Sequence, residues 1–223
     1  FPEEGGAVQG DLFANFTGNE PGEAKNSNLA TLETLNCDYQ LIDTEEKRTK
    51  IIQKLLTSKI LSLDTETTGT EPMDAELVGM SFSIAENEAF YVPIPADQEE
   101  ALKIVNEFRP VFENENSLKV GQNIKYDMIV LQNYGVQVKG PLFDTMIAHY
   151  VLQPELRHGM DYLAEIYLRY QTIHIDELIG PKGKNQKNMR DLAPKDVYRY
   201  ACEDADVTLK LKNVLEKELK END

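Results

Sequence analysis

The chain has 223 residues, 41% of them hydrophobic, and a formal net charge of −16. That is enough apolar material for one large core, and the acidity argues against a simple electrostatic binder of nucleic acid, which would be basic. It leaves room for an enzyme that meets phosphate through bound metal ions, because such ions invert the sign of the local field.

No apolar run reaches the roughly 18 residues that a membrane-spanning helix needs, and no basic, then apolar leader is present, so neither a membrane partner nor a signal peptide is expected. The chain begins at Phe1 rather than Met and reads as a fragment. Cys37 and Cys202 lie far apart and read as reduced thiols; His149, His158 and His174 make no zinc-binding pattern.

Residues 1–36 are rich in Gly, Asn, Glu and Pro and lack periodicity, so they read as an irregular arm or linker, with the domain proper over 37–223. Tyr39 to Ile42 is a short strand. Asp43 or Thr44 then caps a helix through about Thr57, with Ile51, Ile52, Leu55 and Leu56 on one face. Ile60 to Glu66 is an apolar strand ending in acids. Glu76 to Ile84 and Ala89 to Ile94 form an antiparallel pair around the Glu86-Asn87-Glu88 turn. Asp97 caps a helix through about Phe112, and Leu118 to Gly121 is a strand feeding a helix that starts near Ile124. Helices are read over Phe143 to Leu152 and Met160 to Tyr170, a Gly- and Pro-broken polar loop over Ile179 to Gln186, and a long helix from Pro194. The sum is an α/β layer architecture with a mixed sheet.

Three short patterns carry chemistry. Asp64 and Glu66 stand at i and i+2 on a strand, so they point to the same side, where two carboxylates need a hard cation between them. Gly121-Gln122-Asn123-Ile124-Lys125-Tyr126-Asp127 is a strand-to-helix turn in which Asn123, Tyr126 and Asp127 share one helical face. Tyr200 and Asp204 are one turn apart on the last helix. Each pattern alone is commonplace: an early-helix Asp answers the helix dipole, and a Tyr and Asp at i, i+4 often mean nothing. Together, four carboxylates from three segments suffice for two divalent ions roughly 3.5–4 Å apart, the arrangement that serves in-line phosphoryl displacement.

These residues resemble the three motifs of the DEDD superfamily of 3′–5′ exonucleases, in its tyrosine variant; the histidine variant places a His five residues before the last Asp, where this chain has Arg199. The likeness extends to Met160-Asp161-Tyr162-Leu163-Ala164-Glu165, Gly183-Lys184-Asn185-Gln186 and the run Tyr200 to Thr208. Over roughly residues 38–220 the chain is similar to the proofreading domain of bacterial family A DNA polymerases. The resemblance implies a ribonuclease H-like fold with a five-stranded mixed sheet flanked by helices. It implies release of nucleotides from single-stranded or frayed DNA 3′ ends with two divalent metal ions, Mg2+ or Mn2+, with Zn2+ admissible in one site.

By the same resemblance Asp64 bridges both ions, Glu66 and Asp204 complete one site, and Asp127 holds the second ion. Tyr200 and Glu66 orient the attacking water. Gln122, Asn123 and Tyr126 contact the terminal nucleotides, Arg157 lies near the DNA backbone, and Thr67 to Thr70 form the lip over which the 3′ end passes. The family often has a base-wedging leucine where this chain has Thr70, with Met73 and Leu77 as substitutes. The implied setting is the bacterial cytoplasm, near the nucleoid, in a monomer whose full chain continues into a polymerase domain. A ribonuclease D-like RNA exonuclease and a catalytically silent structural domain are the rival readings.

Overall fold

The computed structural model describes residues 29–222. Its frame is a mixed sheet of β1 (Asp38–Leu41), β2 (Ile60–Thr67), β3 (Leu77–Ala85), β4 (Glu88–Pro93), β5 (Leu118–Gly121) and β6 (Leu142–Asp144), in the order β1-β4-β3-β2-β5-β6. The meander β2-β3-β4 is antiparallel; β1 adds in parallel to β4, and β5 and β6 add in parallel on the side of β2.

The α/β architecture agrees with the reading of the sequence, but the sheet has six strands where five are expected. The additional pairing is Leu142–Asp144, which the apolar pattern assigns to the following helix. Three residues are too few to show a period of two, and only their pairing with Lys119, Val120 and Gly121 reveals them.

Side-chain alternation sorts the sheet into two buried faces. Leu61, Leu63, Met80, Phe82, Phe90 and Val92 belong to a core shared with α1 (Glu45–Leu56), α2 (Gln98–Glu107), α3 (Arg109–Phe112) and α4 (Lys125–Asn133). Phe82 stacks on Phe108 within it, with ring centroids 5.4 Å apart. The single helix expected over Asp97 to Phe112 is broken at Phe108, because Pro110 has no N–H to continue the ladder.

The opposite face is covered by α8 (Pro194–Glu221), the longest helix described, which starts with proline in its first turn. Val78, Ala89 and Tyr91 meet Val197, Ala201 and Cys202 of α8. Farther along, Val207, Leu211 and Leu215 pack with Ala148 of α5 (Thr145–Leu152) and Leu163 of α6 (Met160–Leu163). Gly79 is required here: a Cβ would lie 2.3 Å from the Tyr91 ring. After α6 the chain continues as a wide π turn over Ala164–Leu168 rather than as the regular helix read through Tyr170, and Arg169 ends it in the left-handed region. A last short helix, α7 (Ile175–Ile179), precedes α8.

Of the arm expected over residues 1–36, residues 1–28 lie outside the described residues. Ala30 makes an isolated bridge to Tyr170, and Leu32 is buried. Cys37 and Cys202 are both free thiols. Among the described residues no helix is long and apolar enough to cross a membrane.

Candidate active site

β2 organises the site. Its partner β5 accompanies it only from Ile60 to Ser62, so beyond that point one edge of β2 is open. Leu61 and Leu63 face the large core. Asp64 and Glu66, of opposite parity, meet Asp204 of α8. Carboxylate oxygens of Asp64, Glu66 and Asp204 all lie within 4.8 Å of one another. The register shifts beside Glu66, where β3 carries Val78 as an extra residue, a bulge of the kind that bends a strand.

The electrostatics of this cluster are unfavourable as it stands. Burial pushes the Asp64 carboxyl up to about 7. Burial, then the negative charges of Asp64 and Asp127, holds Glu66 well above the usual carboxylate range; burial, then Asp64 and Glu66, does the same to Asp204. Glu66 Oε1 and Asp204 Oδ1 are buried without a hydrogen-bond partner. Buried carboxylate oxygens are ordinarily satisfied, and a hard divalent cation with oxygen ligands answers both the missing partners and the repulsion. The donor set fits such an ion.

Asp127, in the first turn of α4, comes next to the cluster without joining it. Its Oδ1 accepts from the Thr65 backbone N–H at 2.9 Å and from the Thr65 hydroxyl at 2.6 Å. The open edge of β2 makes that N–H available. Burial, and next the Asp64 charge, raises the Asp127 pKa. Tyr200 lies one turn before Asp204; burial and the charges of Asp204, Glu66 and Asp64 push its phenol far above the ordinary value, so it stays a neutral hydroxyl.

The other residues singled out in the sequence fall around this centre. The Tyr126 hydroxyl lies 2.6 Å from Thr67 Oγ1 and 2.5 Å from the Gly69 carbonyl, tying α4 to the lip. Thr70 is exposed. Leu77 is fully buried in the core, which removes it as a base wedge, whereas Met73 is 67% exposed. Asn123 adopts φ of 61°, a left-handed conformation that asparagine tolerates. Gln122 Nε2 donates to the His158 carbonyl at 2.7 Å. Arg157 is exposed in the loop between α5 and α6.

Three supports escape sequence reasoning. Asp144 accepts from the N–H groups of Asn123, Ile124, Met146 and Ile147 at 2.9–3.2 Å, so it holds the turn into α4 and caps α5 together. Arg190 donates to the carbonyls of Ile94 at 2.5 Å and Leu77 at 2.7 Å, while Asn188 Nδ2 reaches Thr68 O at 2.6 Å, strapping the segment before α8 onto the lip. Flanking Asp204, the buried Glu203 accepts from Tyr170 and the Ile173 N–H, and the buried Asp206 accepts from Tyr39, Lys210 and the Asn87 N–H. Of three acids in one helix turn, Glu203 and Asp206 are thus satisfied by hydrogen bonds, whereas Asp204 Oδ1 is left to the cluster. A capping Asp is a recognisable signal for Asp144, and Lys210 four residues after Asp206 is a local helical pair; the other partners are remote in sequence and leave no local mark.

Known proteins resemble this chain in sequence and in fold. The family model for 3′–5′ exonuclease matches residues 39–220. DNA polymerase I of Borreliella burgdorferi is 34% identical over 99% of the chain, which spans only 24% of that relative's length. Among solved structures, NrnC of Brucella melitensis superposes with a TM-score of 0.63 at 21% identity, covering 83% of this chain and 82% of that one. The Escherichia coli RNase D structure, described as an exoribonuclease involved in structured RNA processing, superposes with a TM-score of 0.64 at 18% identity, covering 82% and 46%. The fold is the ribonuclease H-like one of these exonucleases, and the chain belongs to the 3′–5′ exonuclease domain family of DNA polymerase I.

Proposed function

We propose that this domain removes nucleotides one at a time from single-stranded or frayed DNA 3′ ends by two-metal-ion hydrolysis, as the proofreading module of a longer polymerase. The observation that carries the reading is the trio Asp64, Glu66 and Asp204 converging within 4.8 Å, with two buried oxygens lacking partners. Asp64, Glu66 and Asp204 would hold one divalent ion, and Asp127 with Asp64 a second; Mg2+ or Mn2+ suits these all-oxygen ligands, with Zn2+ an alternative in one site. Such ions, when bound, neutralise phosphate charge and acidify an attacking water.

The chain's own residues do the rest. Tyr200, neutral at working pH, offers a hydroxyl that orients the water together with Glu66, and it does not compete as a base. Gln122, Asn123 and Tyr126 hold the last nucleotides, and Arg157 holds the backbone. Thr67, fixed by Tyr126, keeps the lip in place, with Thr70 at its exposed tip. Met73 is the exposed apolar side chain nearest the position of the family's wedge and takes over that role. Base identity need not be read: a mispaired end frays more cheaply, by about a few kcal/mol, and so reaches the site more often.

The rival of greatest weight is RNA processing, since RNase D shares the fold. Identity of 34% to a DNA polymerase I along the whole chain, against 18% to RNase D, favours DNA. Side-by-side digestion of 3′-labelled single-stranded DNA and RNA of one sequence with Mg2+ or Mn2+ tests this. Faster release from DNA is expected; preference for RNA sinks the reading.

A further inference from the structure

We propose that His149 and His158 form a hydrogen-bonded latch that positions Gln122 and Arg157 on the substrate strand, which makes His149 a positioning residue for binding. The proposal rests on the DNA-contact reading of Gln122 and Arg157 given above.

His149 lies in α5 and is fully buried, yet its Nδ1 is 2.7 Å from Nδ1 of His158, in the loop before α6. The rings meet edge to face, with centroids 4.9 Å apart. A bond between two imidazole nitrogens needs one N–H and one bare lone pair. His149 Nε2 is buried without a partner. An orphaned N–H there is costlier than an orphaned lone pair, so His149 carries its proton on Nδ1 and donates it to His158.

The latch reaches the substrate side by two routes. His158 is the neighbour of Arg157 in the chain, so fixing its ring fixes the loop that presents the guanidinium. The His158 carbonyl accepts from Gln122 Nε2 at 2.7 Å, and the other end of the Gln122 amide meets the Thr145 hydroxyl, on the same helix as His149. The loop is therefore tied to α5 once through a side chain and once through its backbone.

The aromatic rings facing His149 are those of His158, Tyr162 and Tyr167, and Tyr150 faces His158. Burial, then the neighbouring His158, lowers the His149 pKa, which keeps it a neutral donor.

The test is steady-state kinetics on a single-stranded oligodeoxynucleotide with Mg2+. His149→Phe keeps a buried ring but has no donor. It should raise KM about five- to tenfold, the worth of one hydrogen bond, with kcat changed less than about twofold. His158→Asn keeps an acceptor at the Nδ1 position, and His158→Phe removes it. KM should stay within about twofold of the wild type in His158→Asn and rise about five- to tenfold in His158→Phe.

A wild-type KM in a His149→Phe protein of unchanged melting temperature overturns the latch. So does an equal KM in His158→Asn and His158→Phe, which decides the matter if His149→Phe fails to fold. Gln122→Ala and Arg157→Ala separate the two levels: if neither changes KM, the DNA-contact reading itself fails, whereas raised KM in both with no effect of the histidines removes the latch alone.

Discussion

The hydroxyl and the backbone N–H of Thr65 both donate to one oxygen of Asp127, at 2.6 and 2.9 Å. This clamp orients the one carboxylate that comes from α4 toward the three contributed by β2 and α8. Thr65→Val keeps the shape and removes the hydroxyl donor. Hydrogen bonds to charged groups are worth about 1.5–3 kcal/mol, so kcat should fall about tenfold or more, and half-maximal activity should need more Mg2+. A Mg2+ titration of nuclease activity checks this; an unchanged midpoint and kcat would show that Asp127 needs no such support.

Stability should depend on pH and metal together. In the unfolded chain the four carboxyls titrate near 4, whereas in the folded domain Asp64 is raised to about 7 and Glu66, Asp127 and Asp204 are raised as well. The folded state therefore binds more protons. The stability these groups permit is fully present below about pH 4 and is lost as pH rises toward 7 and beyond. In EDTA the melting temperature should drop between about pH 5 and 8 by roughly 5 °C, and Mg2+ or Mn2+ should restore it, most of all at the alkaline end. Asp204→Asn should flatten the EDTA curve. A melting temperature that rises with pH in EDTA contradicts this account of the cluster.

Met73 and Leu77 should separate cleanly. Met73→Ala removes an exposed side chain and should leave the melting temperature within about 1 °C, since surface substitutions act weakly. It should slow excision from a frayed duplex end more than from a free single strand. Leu77→Ala opens the core and should cost about 2–5 kcal/mol of stability. Thermal melts and the duplex-to-single-strand rate ratio check both, and equal effects of Met73→Ala on the two substrates would remove it as a wedge.

What was legible in the sequence follows from the range of each signal. Alternation along β2 put Asp64 and Glu66 on one side, and helical spacing put Tyr200 beside Asp204, because both rules act within one turn or two residues. The break at Pro110 is also local and could have been read. β6 could not, since its three residues become a strand only by pairing with β5. Nor could the roles of Arg190, Glu203 and Asp206, most of whose partners are backbone groups or side chains far away in the chain. The two-histidine contact is of the same kind: His158 follows His149 by nine positions, and the loop that brings them together has no periodic pattern.

The most direct measurement compares wild-type protein with Asp64→Ala in the release of 5′-mononucleotides from a 3′-labelled DNA strand with Mg2+. Circular dichroism and a melt in EDTA follow the fold in parallel. The account predicts stepwise release by the wild type and a loss of about a thousandfold or more in the variant, an effect of several kcal/mol on the barrier. It also predicts that the variant stays folded and melts no lower in EDTA, because one of the mutually repelling carboxylates is gone. Absence of release by the wild type, or equal release by both proteins, would contradict the central claim that this carboxylate cluster is a working nuclease centre.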